Sequence, residues 1–153
     1  MSHIPILTRV VDLTTGPILE LGMGFSTTIL DMMCSNTRRP IVSYENDPIW
    51  YEKYRAYSSD FHKIILVDNW DKIDIDEHHW SIAFIDHRPD FRRRIDAERL
   101  KDKADFIILH DSEPESNRFY KYTDIYPLFK YRYDYTRCKP YTTVLSNFKD
   151  LYL

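Results

Sequence analysis

Residues 17–28, PILELGMGFSTT, constrain the fold of this chain more than any other stretch. A short apolar run ends in the acid Glu20, and two glycines follow one residue apart, at Gly22 and Gly24. An apolar run that passes through Gly-x-Gly into a helix start is typical of a strand–turn–helix unit. The glycines permit a tight turn and a close approach of the backbone to a ligand. The chain has only three glycines, so the presence of two in one turn indicates a specific role for that turn.

The turn departs from the dinucleotide-binding fingerprint at its third glycine. That fingerprint reads G-x-G-x-x-G and places a pyrophosphate at the helix N-terminus. Here the third position is Thr27, which gives the helix a bulkier start. Ser26 or Thr27 can cap that helix. The departure weakens the case for a bound pyrophosphate, and an NAD-type oxidoreductase on a doubly wound fold stays open only as an alternative.

Size and charge favour one globular domain. The 153 residues are 43% hydrophobic and 29% charged, with a formal net charge of −3. This balance gives no general attraction to nucleic acid or to an anionic membrane. No apolar run approaches the roughly 20 residues of a membrane span, and the N-terminus lacks the pattern of a signal peptide. We expect a cytoplasmic domain over residues 1–153 with an N-terminal arm at residues 1–15, and reduced thiols at Cys34 and Cys138.

Polar side chains follow the successive apolar runs that we predict as strands. The alternation of these runs with helical segments predicts a parallel sheet with right-handed crossovers. In order along the chain, the strand ends are Glu20, Glu45, Asp68 with Asn69, Asp86 with His87, and His110 with Asp111. Ligands of open α/β sheets bind at the edge where the strands have their carboxyl ends. We therefore expect these side chains to surround one site.

The pattern E-x-G-x-G at Glu20, Gly22 and Gly24 resembles the first motif of class I S-adenosylmethionine (SAM) dependent methyltransferases. Two alternating runs at residues 131–139 and 141–147 predict a C-terminal antiparallel hairpin. Such a hairpin distinguishes the methyltransferase sheet from an ordinary dinucleotide fold. The resemblance implies a minimal, single-domain, Rossmann-like α/β methyltransferase with a doubly wound, mostly parallel seven-stranded sheet in the order 3-2-1-4-5-7-6.

The resemblance also implies how SAM is held. The glycine turn passes under the methionine part of SAM, and Glu20 helps to hold its ammonium group. Glu45 binds the ribose hydroxyls, as acids at this strand end do in dinucleotide folds. Asp68 and Asn69 contact the adenine, which Trp70 covers, although Trp70 can equally belong to the core. The complete predicted cofactor site consists of Glu20, Gly22, Gly24, Ser26, Thr27, Glu45, Asp68, Asn69, Trp70 and Asp86.

Two histidines follow the fourth and fifth predicted strands. Methyl transfer to a hydroxyl is an in-line displacement, in which a histidine of near-neutral pKa can remove the acceptor proton. We predict His87 as this base and His110 as the residue that orients the acceptor or water, with Asp86 or Asp111 orienting the imidazole. Some O-methyltransferases hold magnesium with acids at these strand ends, which Asp86 and Asp111 match. Because His110 stands where a second acid would favour magnesium, we predict no metal.

The prediction for function is therefore a SAM-dependent methyltransferase that O-methylates a small molecule or a sugar. A non-catalytic SAM- or nucleotide-binding module is the first alternative, because the chain shows no separate substrate domain. The sequence does not name the acceptor and does not separate O- from N-methylation. The net charge disfavours nucleic acid as a partner, and a domain this small can use a second copy of itself to close its pocket.

Two further helices are predicted after the fourth and fifth strands. One spans residues 90–101 and carries Arg92, Arg93 and Arg94, which we expect on a solvated face paired with neighbouring acids. The other begins at Ser112 and continues through an aromatic segment.

Overall fold

A seven-stranded mixed sheet forms the centre of the computed structural model, which describes residues 1–153. The strands are β1 (Ile18–Leu21), β2 (Ile41–Glu45), β3 (His62–Leu66), β4 (Trp80–Ile85), β5 (Ala104–His110), β6 (Tyr131–Tyr135) and β7 (Thr142–Ser146). Their order in the sheet is β3-β2-β1-β4-β5-β7-β6. The first five strands are parallel, and β7 runs antiparallel to both β5 and β6. The predicted sheet and its terminal hairpin are confirmed.

Five short α-helices accompany the sheet. They are α1 (Ile4–Asp12), α2 (Phe25–Cys34), α3 (Pro48–Tyr54), α4 (Arg92–Arg99) and α5 (Asn117–Tyr120). The start of α3 follows its sequence signals, because Pro48 occupies the first turn and the Asp47 carboxylate accepts the backbone N–H of Ile49 at 2.8 Å. None of these helices has the length and apolar character needed to cross a membrane. Both cysteines are free, with Cys34 buried and Cys138 exposed.

Two apolar layers lie on the two faces of the sheet, because alternate strand residues point to opposite sides. In β4, Ile82 and Phe84 belong to the layer that contains the apolar residues of α1 and α2. Ala83 and Ile85 belong to the other layer, with residues of α4 and the segments around Trp70 and Tyr122. The strands are thus covered on both faces, and their carboxyl ends remain available for polar side chains.

The continuous helix predicted from Ser112 onward is wrong. The chain instead forms α5 and a series of single 3₁₀ turns at Pro114–Ser116, Tyr122–Asp124 and Tyr126–Leu128. Lys121 ends α5 in the left-handed conformation, with φ of 55°. The Asn117 side chain accepts the N–H of Thr123 at 3.0 Å and so replaces a helical hydrogen bond.

The solvated face predicted for the arginine run is also wrong for two of its three members. Arg92 and Arg93 are 8% and 4% exposed. Arg92 pairs with Asp71 and Asp96, whereas Arg93 reaches acids at two strand ends that are described below. The first turn of α4 therefore packs toward the carboxyl edge of the sheet, where buried carboxylates need cations.

Candidate active site

A cavity of about 720 Å³ opens at the carboxyl ends of β1, β2, β4 and β5. This is the edge at which the order of the strands predicts a ligand site. Six of the predicted site residues line the cavity: Gly24, Glu45, Asp86, His87, His110 and Asp111. The other predicted residues lie outside its lining: Glu20, Gly22, Ser26, Thr27, Asp68, Asn69 and Trp70.

The two glycines after β1 have different structural roles, which depend on the space around each Cα. Gly22 has a φ of 93°, and a Cβ placed on it would lie 2.7 Å from backbone atoms of Asp86 and His87. Only glycine permits this contact between the β1 turn and the end of β4. At Gly24 the nearest atom to an added Cβ is Ser26 Oγ, at 4.0 Å. Gly22 therefore sets the close packing, and Gly24 leaves an open backbone surface on the cavity wall.

Glu20 lies behind the glycine turn. Its carboxylate is fully buried and accepts hydrogen bonds from the hydroxyls of Ser26 at 2.6 Å, Thr27 at 2.9 Å and Ser43 at 2.6 Å. Thr27 Oγ1 also accepts the backbone N–H of Gly24 at 3.0 Å. Thr27, at the third position of the glycine pattern, therefore caps α2 and binds the buried Glu20 carboxylate. A glycine has no side chain to make either hydrogen bond.

Burial raises the pKa of Glu20 from 4.5 to about 7, although its three hydroxyl donors act in the opposite direction. The carboxyl group is therefore about half protonated at neutral pH. A buried acid with three internal hydrogen bonds is well suited to fixing the turn. This placement gives no support to the predicted contact between Glu20 and the ammonium group of SAM.

Glu45 lines the cavity, at the end of β2, and joins two turns. Its Oε2 accepts the N–H of Met23, and its Oε1 accepts those of Asn46 and Asp47, each at 2.8 Å. A carboxylate oxygen can accept two hydrogen bonds. Oε2 can therefore accept a second hydrogen bond, from a hydroxyl of a ligand in the cavity, as the predicted ribose contact requires.

The end of β3 lies outside the cavity. Asp68 and Asn69 are exposed, and the Asn69 side chain accepts the N–H of Asp71 at 2.9 Å as the cap of a 3₁₀ turn. Trp70 belongs to the core, the second of the two positions considered for it. The tryptophan that lines the cavity is Trp50, which is 43% exposed. The sequence analysis missed Trp50, although its place in the first turn of the helix after Glu45 could have pointed to it.

His87 belongs to the cavity lining and is almost fully buried. Its Nε2 lies 2.9 Å from Asp96 Oδ2, and its ring centroid is 4.3 Å from that of Trp70. Burial lowers the pKa of His87 in spite of Asp96, so the ring is neutral at pH 7. Because the Asp96 carboxylate only accepts, Nε2 carries the proton and Nδ1, which has no partner within the protein, is free to accept one. The acid that orients this imidazole is Asp96, not Asp86 or Asp111.

Asp86, Arg93, His110 and Asp111 form one ion-pair cluster on the cavity wall. His110 Nδ1 lies 3.2 Å from Asp86 Oδ1 and 3.3 Å from Asp111 Oδ1. The Arg93 guanidinium lies 2.9 Å from a carboxylate oxygen of Asp86 and 2.9 Å from one of Asp111. Arg93 also covers the ring of Tyr120, at 4.5 Å from its centroid. The sequence did not reveal Arg93 as a site residue, because its run of arginines reads equally well as a surface.

The cluster fixes the protonation states of its members. Burial alone would lower the pKa of His110, but hydrogen bonds to Asp111 and Asp86 outweigh burial and raise it to about 9. Burial likewise opposes the ionisation of Asp111, but His110 and Arg93 hold its pKa well below the usual range. His110 is therefore an imidazolium at neutral pH and cannot serve as a base there. Its Nε2 is buried and has no hydrogen-bond partner within the protein.

A third histidine, His3, enters the cavity from the N-terminal arm. It is 7% exposed, and its ring meets that of His110 edge-on at 4.5 Å between centroids. Burial, followed by the nearby charge of His110, lowers the pKa of His3 to about 4. Neither ring nitrogen has a partner within the protein. Nothing local in the sequence marks His3, because packing of α1 against the sheet brings it to β5.

The cluster also contains a potential set of metal ligands. Asp86, His110 and Asp111 each offer a ligand atom within 4.8 Å of the others. Arg93 and the protonated His110 together balance the charges of both carboxylates, and magnesium prefers a shell of oxygen ligands. The arrangement therefore fits an internal ion-pair cluster better than a magnesium site.

Comparison with known proteins was informative at the level of structure. No family model and no curated protein sequence matches this chain. Among solved structures, human methyltransferase-like protein 13 in complex with SAH superposes with a TM-score of 0.71 at 14% identity, covering 97% of this chain and 83% of that one. The human methyltransferase 10 domain containing protein gives a TM-score of 0.69 at 14% identity, with 97% and 83% covered.

A third similar structure is the delta-N METTL16 MTase domain, with a TM-score of 0.69 at 13% identity, covering 96% of this chain and 82% of that one. Identities this low establish the fold and leave the activity to be argued from the site. The sheet order and the C-terminal hairpin agree with these neighbours. The chain has the fold of the class I SAM-dependent methyltransferase domains.

Proposed function

We propose that this protein is a SAM-dependent methyltransferase that transfers the methyl group to a hydroxyl of a small molecule or a sugar. The observation that carries the proposal is the meeting of three features at one cavity. They are the open backbone at Gly24, the acid Glu45 and the neutral, oriented histidine His87. A cavity of this kind on the class I fold has the parts that a methyl transfer to a hydroxyl needs.

The residues on the β1 and β2 side of the cavity fit SAM. Glu45 has an oxygen with spare capacity for a ribose hydroxyl, and Gly24 leaves room against the backbone. Trp50 supplies an aromatic face of the kind on which a base stacks. When bound, SAM supplies a methyl group on a sulfonium. Crystals of methyltransferase-like protein 13 and of the METTL16 N-terminal domain contain SAH, the product of SAM, which supports the same cofactor here.

The residues on the β4 and β5 side fit the acceptor. His87 is proposed as the general base, with Asp96 holding its Nε2–H so that Nδ1 accepts the hydroxyl proton. In this structure Nδ1 has almost no accessible surface, so neighbouring side chains must move before an acceptor can reach this nitrogen. His110, held as an imidazolium, orients the acceptor by donating from Nε2 once the side chains that bury this atom have moved. His3 is the competing base, since it is also neutral and both of its buried nitrogens lack a hydrogen-bond partner.

No metal is part of the proposal. The positive charge that a magnesium ion would supply beside Asp86 and Asp111 comes from Arg93 and His110. The net charge of −3 favours a small acceptor over nucleic acid, although a neighbour, the METTL16 catalytic domain, was crystallised with an RNA hairpin. A cytoplasmic location and a second copy that closes the pocket stay predictions.

Calorimetric titration of the protein with SAM, SAH and NAD tests the cofactor. The proposal expects binding of SAM and SAH and no binding of NAD. Binding of NAD without SAM would favour an oxidoreductase on the same fold. If SAM binds but no SAH is released with any member of a panel of hydroxyl compounds, the non-catalytic binding module becomes the better account.

Glu45→Ala tests the placement of SAM. Loss of the carboxylate should weaken SAM binding by roughly 1–3 kcal/mol, because a ribose hydroxyl loses its acceptor. Glu45→Gln keeps one carbonyl oxygen and checks that the turn still folds. Glu52→Ala is the matched control, since the Glu52 carboxylate is 62% exposed on α3 and pairs only with Arg55. Equal SAM affinity in Glu45→Ala and Glu52→Ala would remove Glu45 from the site.

A further inference from the structure

An open groove of about 620 Å³ adjoins the active-site cavity. Asn46, Arg88 and Asp90 line both spaces, so the two are continuous. Farther from the cavity the groove is lined by Arg118 and Phe119. The class I fold and the proposed cofactor contacts do not account for this groove.

The arginines of the groove lack the carboxylate partners that the interior arginines of α4 have. Each arginine of α4 that faces the interior has carboxylate partners, as Arg92 does with Asp96 and Arg93 with Asp111. Arg88 and Arg118 are exposed and form no ion pair with a carboxylate. The Arg118 guanidinium lies 4.6 Å from the ring centroid of Phe119. This cation–π contact helps to hold the guanidinium plane in position. In a chain of net charge −3, two unpaired arginines in one groove are a local attraction for an anion.

The groove also exposes two aromatic rings. Phe91 is 57% exposed and Phe119 is 51% exposed, and both line the groove. Exposed phenylalanines beside unpaired arginines suit a ligand that combines a planar ring with an anionic group. Asp90 lies where the groove meets the cavity. Its carboxylate disfavours an anion at that boundary and can accept a hydrogen bond from a hydroxyl.

We propose that this groove binds the methyl acceptor and that the acceptor is a free nucleotide. The base stacks on Phe119 or Phe91, and the phosphate pairs with Arg118 on the side away from Asp90. The sugar then lies at the boundary, with a ribose hydroxyl directed toward the active-site cavity. The inference rests on the proposed function and gives the acceptor class for it, because a ribose hydroxyl is the sugar hydroxyl that such an enzyme would methylate.

Calorimetry with uridine monophosphate (UMP) as the probe tests this inference. The protein is first titrated with SAH, which tests the proposed function separately, and the SAH-saturated protein is then titrated with UMP, uridine and inorganic phosphate. UMP should bind at least about tenfold more tightly than either fragment, since only UMP engages both the rings and the arginines. If SAH does not bind, the proposed function fails, and titration of the protein alone with UMP still tests the groove.

Variants locate the binding. Arg118→Ala should weaken UMP affinity about tenfold, as expected for a charged hydrogen bond, and Phe119→Ala should cause a loss of similar size. Both should leave SAH affinity unchanged. The matched controls are Arg55→Ala, at a guanidinium 62% exposed, and Phe148→Ala, at a ring 48% exposed, both outside the groove lining. The inference is overturned if UMP binds no more tightly than phosphate. It is also overturned if both groove variants keep the wild-type affinity for UMP, or if saturation with SAH abolishes UMP binding. A single-stranded 12-nucleotide RNA that binds more than tenfold tighter than UMP would also overturn it, in favour of a nucleic-acid surface.

Discussion

Glu20→Gln is the substitution whose effect on stability the structure defines most closely. Burial raises the pKa of Glu20 from 4.5 to about 7 in the folded protein. The folded state therefore binds this proton more tightly than the unfolded chain does. The resulting stabilisation is complete below the unfolded pKa and is lost as pH rises through about 7. The pKa difference corresponds to about 3 kcal/mol in total, of which about 2 kcal/mol is lost between about pH 5.5 and about pH 8.5.

A glutamine at this position cannot ionise but can keep the hydrogen bonds. Its carbonyl oxygen accepts from two of the hydroxyls of Ser26, Thr27 and Ser43, and its amide donates to the third. Relative to wild type, the variant should therefore gain about 2 kcal/mol in free energy of unfolding between the two pH values. Urea denaturation at both values measures this gain. Other groups with a raised pKa, such as His110, cancel in the difference between the two proteins.

The control for the pH effect is Glu52→Gln at an exposed site, for which the difference from wild type should not change with pH. A constant difference for Glu20→Gln as well would refute the assignment of a raised pKa to the buried carboxyl. The same variant tests the predicted ammonium contact, and SAM affinity should stay within about twofold of wild type. A tenfold loss of SAM affinity would return Glu20 to the cofactor site.

The remaining predictions concern the active site. His87→Ala should keep SAM binding and lower turnover, measured as SAH release, by about 10²–10⁴-fold with loss of the rate increase that deprotonation of His87 gives below about pH 6.5, because burial lowers its pKa; His110→Ala should cost less. A larger loss in His110→Ala or His3→Ala would reassign the base. Activity should survive EDTA, because the ion-pair cluster carries its own cations; complete loss that magnesium alone restores would contradict this. Gly22→Ala should lower the free energy of unfolding in urea by at least about 1–3 kcal/mol, because its Cβ would meet backbone at 2.7 Å in a left-handed conformation, and Gly24→Ala should cost less.

The parts of the fold that were predictable depend on neighbouring residues. Each parallel strand is an apolar run closed by a polar residue, and that pattern is visible within five or six positions. The start of α3 was equally local, because Asp47 and Pro48 are adjacent. The segment after β5 failed for the opposite reason. Its apolar spacing suits a helix, but the left-handed Lys121 interrupts it just before Tyr122, which is buried in a core formed by residues distant in the sequence.

The parts of the site that escaped prediction are brought in by long-range packing. Glu45 and His110 were found because they are the last residues of strands. His3 reaches the same cavity only because α1 packs on the sheet, more than 100 residues away along the chain. Arg93 reaches it from α4. A sequence pattern reports which residues end a strand, and it does not report which helix later covers them.

The charges of the ion-pair cluster connect the fold to the proposed chemistry. Asp86 and Asp111 stand at the ends of neighbouring parallel strands, so the sheet alone would place two carboxylates side by side at considerable cost. Arg93 and His110 offset that cost with two cations, and the formal charges cancel. The side chains of Arg93, His110 and Asp111 have little exposed surface, so salt screens their charges only weakly. A magnesium ion would have to displace the 4% exposed Arg93 from both of its partners. The same four residues can therefore balance their charges without a metal, and they keep His110 protonated until about pH 9.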